Sequence, residues 1–165
     1  KNNLKVRCER LAIGKWKEGA IQKITDNLGW WQAGDLGELI TKKNIEELRI
    51  LGRKDNTINS GGETIFLDKL QSELIDCIEA NNLPIDKLLL IGVNDEKWGQ
   101  SVVSIVKISK DKNNTIRKVD AIARTWPASS RPRNWYHCQE LSTNENGKWE
   151  REYWINWLNN QTPII

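Results

Sequence analysis

Three short clusters in this 165-residue sequence set charge beside glycine: Trp31-Gln32-Ala33-Gly34-Asp35, Gly52-Arg53-Lys54-Asp55 running into Ser60-Gly61-Gly62-Glu63, and Gly147-Lys148-Trp149-Glu150-Arg151. A carboxylate such as Asp35 on a glycine turn can accept hydrogen bonds from two adjacent hydroxyls, the pattern a ribose presents, and Arg53 offers a planar fork of donors. The glycine pair 61 and 62 lets backbone approach a ligand with no Cβ in the way. Lys148 is a strongly solvated point charge, able to neutralise a developing phosphate or carboxylate oxyanion once enclosed. Each cluster also has a plainer reading. Gly-Asp is a common turn dipeptide, Ser-Gly-Gly is a loop before a helix with Glu63 favourable near its start, and Lys148 taken alone is a solvated turn lysine. His137, the single histidine, has no acid or nucleophile near it in sequence and reads as structural.

The elements that must position these clusters follow from periodicity. Residues 1–52 read as short strands and turns, with strands expected around Glu38–Ile40 and Leu48–Leu51. Leu67, Leu70, Leu74 and Ile78 then recur at three- and four-residue spacing, a helical stripe that should end near Asn81-Asn82, before Pro84. Lys87–Val93 and Ser101–Ile108 are short Leu/Ile/Val runs, expected as neighbouring strands, and Trp135–Leu141 is a third. Ile116, Val119, Ile122, Ala123 and Trp126 return to helical spacing, stopped by Pro127, and Trp149–Leu158 gives a last helix after the Asn146-Gly147 turn. The expected fold class is α+β: a β-rich segment over 1–54, then, from a hinge at Asp55, a small domain over 55–165 with a three-stranded sheet and about three helices.

Composition narrows the function. Twenty-five basic against 22 acidic residues give a net charge of +3, a mixed surface that makes a dedicated polyanion binder a weak first reading. Three cysteines, Cys8, Cys77 and Cys138, include no close pair, which argues against a disulfide framework and against a zinc site. A reducing, cytoplasmic location fits best, and no metal-binding set is expected. No apolar run approaches the roughly 20 residues that span a bilayer. The nine tryptophans read as scattered core or interface anchors, and the complete absence of methionine suggests a fragment. A rival reading of another class, a protein- or nucleic-acid-binding module, rests on the stretch from Lys110 to Arg133, with seven basic and two acidic residues. Arg131 and Arg133 in that stretch are also candidates for contacting phosphate groups.

Order and spacing of all the clusters together change the reading. The run from Gly29 to Gly37, then Leu51 to Glu63, then Ile91-Gly92-Val93 with Asp95 and Gly99, then Gly147-Lys148 with Arg151, resembles the carboxy-terminal motif series of the acyl-adenylate-forming superfamily. The ending, from Trp126-Pro127 through Arg131-Pro132-Arg133-Asn134-Trp135-Tyr136 to Arg151 and the tryptophans behind it, is similar to o-succinylbenzoate-CoA ligases of the cyanobacterial type. Those act in menaquinone or phylloquinone synthesis.

That resemblance implies a two-step ligation. The acid's carboxylate attacks the α-phosphate of ATP, with Mg²⁺ and Lys148 offsetting the charge, and the CoA thiol then attacks the acyl-adenylate. By the same resemblance Asp35 binds the ribose hydroxyls, Arg53 supports the ribose or adenylate, Asp55 is the hinge, and Ser60, Gly61 and Gly62 line the path of the CoA arm. Alanine at position 33 departs from the family's usual threonine. The family's phosphate loop and its adenine and acyl pockets lie in a large amino-terminal domain, the partner that this chain is expected to need. A full set of reactants would be ATP, Mg²⁺, CoA and a small acid.

Overall fold

The computed structural model describes residues 2–42 and 44–165. Contacts divide the chain into two compact units, Lys1–Asn56 and Thr57–Ile165. The first contains β1 (Asn2–Val6), β2 (Gly14–Lys17), β3 (Ala20–Lys23), β4 (Trp31–Lys42) and β5 (Ile45–Arg53), and ends in a single 3-10 turn over Lys54–Asn56. β4 lies between β1 and β5, antiparallel to both, while β2 and β3 form a separate hairpin. The strands expected around Glu38–Ile40 and Leu48–Leu51 are the middles of β4 and β5. Leu39 and Leu48 are cross-strand partners, yet they stay 70% and 56% exposed, so this sheet face buries little of its apolar surface.

The second unit runs β6 (Thr57–Ser60), β7 (Glu63–Phe66), α1 (Leu67–Ala80), β8 (Ile85–Asp95), β9 (Gly99–Ile108), α2 (Lys112–Ala123), β10 (Pro132–His137) and α3 (Arg151–Leu158). β8 and β9 pair antiparallel along their length, and β10 lies parallel to β9. The expected three strands are present, and a hairpin adds two more: β6 meets β9 at Ser60–Gly99 and carries β7 on its other side. Gly61 and Gly62, at φ 58° and 83°, make the two-residue turn that this hairpin needs. The stretch is therefore a turn between strands rather than a loop before a helix, and Glu63 sits on β7, where its carboxylate accepts a hydrogen bond from the Ser129 hydroxyl.

Why β8 reads as an unbroken apolar run is clear from its two faces. Leu88 and Leu90 pack with the α1 stripe (Leu67, Leu70, Leu74, Ile78) and with Ile116 and Val119 of α2. Leu89 and Ile91 point the other way, into a cluster with Leu141, Trp154 and Leu158. A strand covered on both faces has no polar alternation to show. Seen across the sheet, α1 and α2 cover one side and α3 the other. α1 stops where its sequence says it should: the Asn81 side chain donates to the Cys77 carbonyl at 2.8 Å, and Asn82 turns the chain at φ 49° ahead of Pro84.

Of the nine tryptophans, Trp135 and Trp154 are buried and Trp16 is 74% exposed, the rest lying between. The cysteines are free: Cys138 is buried, Cys77 half-buried and Cys8 exposed. Among the described residues no helix is long and apolar enough to cross a membrane.

Candidate functional site

In the first unit the fold gathers Asp35, Arg53 and Asp55. Asp35 and Arg53 are cross-strand partners on β4 and β5. Gly34, at φ 82°, lies under the arginine, and a Cβ there would come within 3.3 Å of Arg53 Nη2. The missing side chain lets the guanidinium lie close over the strand. Asp55 in the 3-10 turn then holds that guanidinium from the other side: Arg53 Nε donates to Oδ1 at 2.9 Å and Nη2 to Oδ2 at 2.8 Å. Both side chains are more than half exposed, so the pair contributes about 1 kcal/mol or less. Its effect is orientation: a forked bond fixes the plane of the guanidinium beside Asp35.

In the second unit Ser60, Gly61 and Gly62 occupy the β6–β7 turn, and the turn between β8 and β9 backs onto it. The Gly61 amide donates to the Trp98 carbonyl at 2.9 Å. A Cβ on Gly61 would lie 2.6 Å from Trp98 Cε3, so only glycine lets the indole sit flush against this backbone. Arg133 stacks on the same indole, its guanidinium carbon 4.3 Å from the Trp98 ring centroid. Gly62 faces open space. Asp95 shapes the Trp98 turn by accepting the backbone N–H groups of Lys97 and Trp98, both at 3.0 Å.

The Trp98 N–H bond chiefly holds the Asp95 carboxyl below its ordinary value; partial desolvation opposes this, and Lys97, Ser101 and Arg133 assist. A depressed carboxyl contributes stability that is present above its unfolded pKa of about 3.9 and lost as pH falls through the folded value. Asp95→Asn is accordingly expected to flatten the fall in urea midpoint between pH 5 and pH 3; a fall as steep as the parent's would remove Asp95 as its source.

Lys148 stands on the loop before α3. Asn144 Oδ1 accepts the backbone N–H of Asn146 at 3.1 Å and that of Lys148 at 2.9 Å, and the Asn144 N–H donates to the Lys148 carbonyl at 2.9 Å. Gly147, at φ 71°, completes the turn. Arg151 ties the start of α3 to the body of the unit, donating from Nη1 to the Leu90 carbonyl at 2.6 Å and from Nη2 to Asp68 at 2.9 Å. Trp149 lines a cleft with Gln71 and Ile75 of α1 and Ile85 and Leu88 at the start of β8. Lys148 itself is exposed. The lysine and the Gly61–Trp98 contact thus lie toward opposite ends of β8. At ~3.3 Å per residue, Leu88 and Asp95 are on the order of 20 Å apart.

Composition and spacing pointed to Asp35, Arg53, Gly61, Gly62 and Lys148, but not to Trp98 or Asn144. Trp98 had a faint signal, a bulky aromatic between Asp95 and Gly99 in a tight turn. Asn144 had none beyond its being a turn former. The basic stretch from Lys110 does not form one free face: Arg124 pairs with Asp120 at 2.6 Å, Arg131 donates to the Trp126 carbonyl, and Arg133 is held by Trp98 and the Ala128 carbonyl. His137 is half-buried at the end of β10, and burial, with the charge of Lys112, lowers its pKa.

No protein-family model matches the chain. The 2-succinylbenzoate-CoA ligase of Haemophilus influenzae is 33% identical over 100 residues, covering 61% of this chain and 20% of the ligase. The 4-chlorobenzoate-CoA ligase of Pseudomonas sp. is 33% identical over 112 residues, 67% of this chain and 20% of that one. In three dimensions the anthranilate CoA ligase AuaEII, solved with anthranoyl-AMP, matches at a TM-score of 0.72 and 19% identity over 94% of this chain and 29% of its own. The chain's homologues are AMP-forming acyl-CoA ligases. Its fold is that of the carboxy-terminal domain of these ligases. The chain spans about a fifth of the length of the curated ligases it matches.

Proposed function

We propose that this chain carries the end of the nucleotide-binding domain and the mobile lid of an ATP-dependent carboxylate-CoA ligase, acting on o-succinylbenzoate in menaquinone or phylloquinone synthesis. The observation that carries the reading is the separation, along β8, of an exposed lysine on a fixed turn from a Gly-Gly turn backed by an indole and an arginine. A single presentation of this unit cannot offer both ends to one reaction centre. A two-step reaction can use them in turn. In the first step Lys148 faces the α-phosphate and the attacking carboxylate, where two anions meet. In the second the Gly61–Gly62 turn lies along the pantetheine arm, with Ser60 behind it and Arg133 near the CoA phosphates. The unit swings about Asp55, one residue from the boundary at Asn56. Asp35 binds the ribose hydroxyls, supported by Arg53.

Mg²⁺ in this scheme arrives with the nucleotide. The exposed Leu39–Leu48 face of β4 and β5 fits an origin within a larger amino-terminal domain. The o-succinylbenzoate assignment is supported by the 2-succinylbenzoate-CoA ligases of Escherichia coli, Haemophilus influenzae and Salmonella typhimurium, 28–33% identical over 100 to 106 residues. A second acid, a halogenated benzoate, is favoured by the longer 4-chlorobenzoate ligase match.

The test is acid-dependent ATP–pyrophosphate exchange by the complete enzyme. Exchange with o-succinylbenzoate is expected to exceed that with 4-chlorobenzoate or a long-chain fatty acid by about tenfold or more. No exchange with any of the three acids would overturn the ligase reading, and a preference for another acid would overturn the substrate. The 165-residue chain alone is expected to release no pyrophosphate.

A further inference from the structure

We infer that Asn144 is the positioning residue for Lys148, fixing the backbone of an otherwise exposed lysine for the adenylation step. The inference rests on the reading of Lys148 given above. A lysine on a free loop loses side-chain entropy when held at a reaction centre, and a mobile backbone adds to the loss at each residue. Here the backbone is held before any substrate arrives. Asn144 uses every polar group it has: Oδ1 takes the N–H groups of Asn146 and Lys148, its own N–H goes to the Lys148 carbonyl, and its carbonyl accepts the Gly147 N–H at 2.9 Å. Lys148 is therefore gripped at both its N–H and its C=O by one residue four positions earlier.

The grip is itself anchored. Asn144 Nδ2 reaches Glu150 Oε1 at 3.5 Å, Glu150 is the residue on which α3 begins, and Arg151 pins that helix to β8 through Leu90 and to α1 through Asp68. Trp149 packs against the cluster under α3. Position is thus passed from the sheet to the lysine backbone through one amide side chain. The Lys148 side chain is exposed, with no hydrogen bond or ion pair to any described residue.

A residue with only this role has a distinctive signature. In the complete enzyme, Asn144→Ala is expected to lower kcat of adenylation by about tenfold, since misplacement of a reacting group by even 1 Å costs up to about a hundredfold. Thioester formation from supplied acyl-adenylate and CoA stays within about twofold of the parent. Asn144→Ser, whose hydroxyl can accept the same N–H groups in an analogous turn, recovers most of the loss. In the 165-residue chain, amide exchange at Lys148 accelerates in Asn144→Ala and not in Asn144→Ser. An equal fall in both half-reactions, or unchanged adenylation in Asn144→Ala beside a collapsed Lys148→Ala, would overturn the proposal while leaving the ligase reading intact. Unchanged adenylation in Lys148→Ala would overturn the reading beneath it.

Discussion

Replacing Lys148 with alanine in the complete enzyme is expected to lower kcat/KM for acyl-adenylate formation by on the order of 10² to 10³, the usual loss when one preorganised charge is removed from a developing oxyanion. The reason is electrostatic. A carboxylate and a triphosphate repel as they approach, and the barrier is lowered by whatever positive charge stands at their meeting point before the bond forms. Lys148 can reach such a point because its side chain is exposed and unpaired among the described residues, while its backbone is held by Asn144. No fold penalty accompanies the change, since no packing is lost at an exposed turn, and thermal unfolding should be nearly unaltered. Lys148→Arg restores only part of the rate, because a planar fork does not place its charge where a compact ammonium does. Chromatographic detection of acyl-AMP in a single turnover checks this; a full rate in Lys148→Ala would reduce the residue to a solvated turn lysine.

Gly61→Ala is expected to do the reverse. Its Cβ would lie 2.6 Å from Trp98 Cε3 on a backbone at φ 58°, so either the indole or the turn must move. The left-handed conformation adds about 1–2 kcal/mol of strain, which should appear as a modestly lowered urea midpoint. The functional cost is larger and specific: transfer of the acyl group to CoA is expected to fall by about a hundredfold, because the new methyl displaces the indole and with it the Trp98–Arg133 stack beside the proposed path of the thiol arm. Adenylation stays near the parent rate. Gly62→Ala gives a useful contrast, since a Cβ there meets nothing within 4 Å and any effect would come from its φ of 83° alone. Equal CoA-transfer losses in the two variants would point to turn strain rather than to the indole contact.

Much of the second unit could be read from sequence because its signals are strong and local. The α1 stripe of Leu67, Leu70, Leu74 and Ile78 is buried as its spacing requires, and the apolar runs of β8 and β9 become the centre of the sheet. The β6–β7 hairpin was harder: its strands are four residues long, and Thr57-Ile58-Asn59-Ser60 reads as polar unless one sees that Ile58 and Ile65 are paired and face inward together. β2 and β3 are exposed along their length apart from Gly14 and so leave no burial pattern to detect. At the site, the charges were visible as residue types and their order carried the family resemblance. The parts that fix them were not visible. Asp55 holding Arg53, Trp98 filling the space above Gly61 and Asn144 closing the lysine turn are contacts that a side chain makes only once the chain has folded, and no single residue type announces them.

The decisive measurement is a crossed comparison of Lys148→Ala and Gly61→Ala in the complete enzyme, each assayed for acyl-adenylate formation from acid and ATP and for thioester formation from supplied acyl-adenylate and CoA. Two ends of β8 used in two separate steps predict opposite losses: the lysine variant fails in the first assay and passes the second, and the glycine variant does the opposite. Loss of the same half-reaction in both variants would contradict the account, because the two ends would then serve a single step.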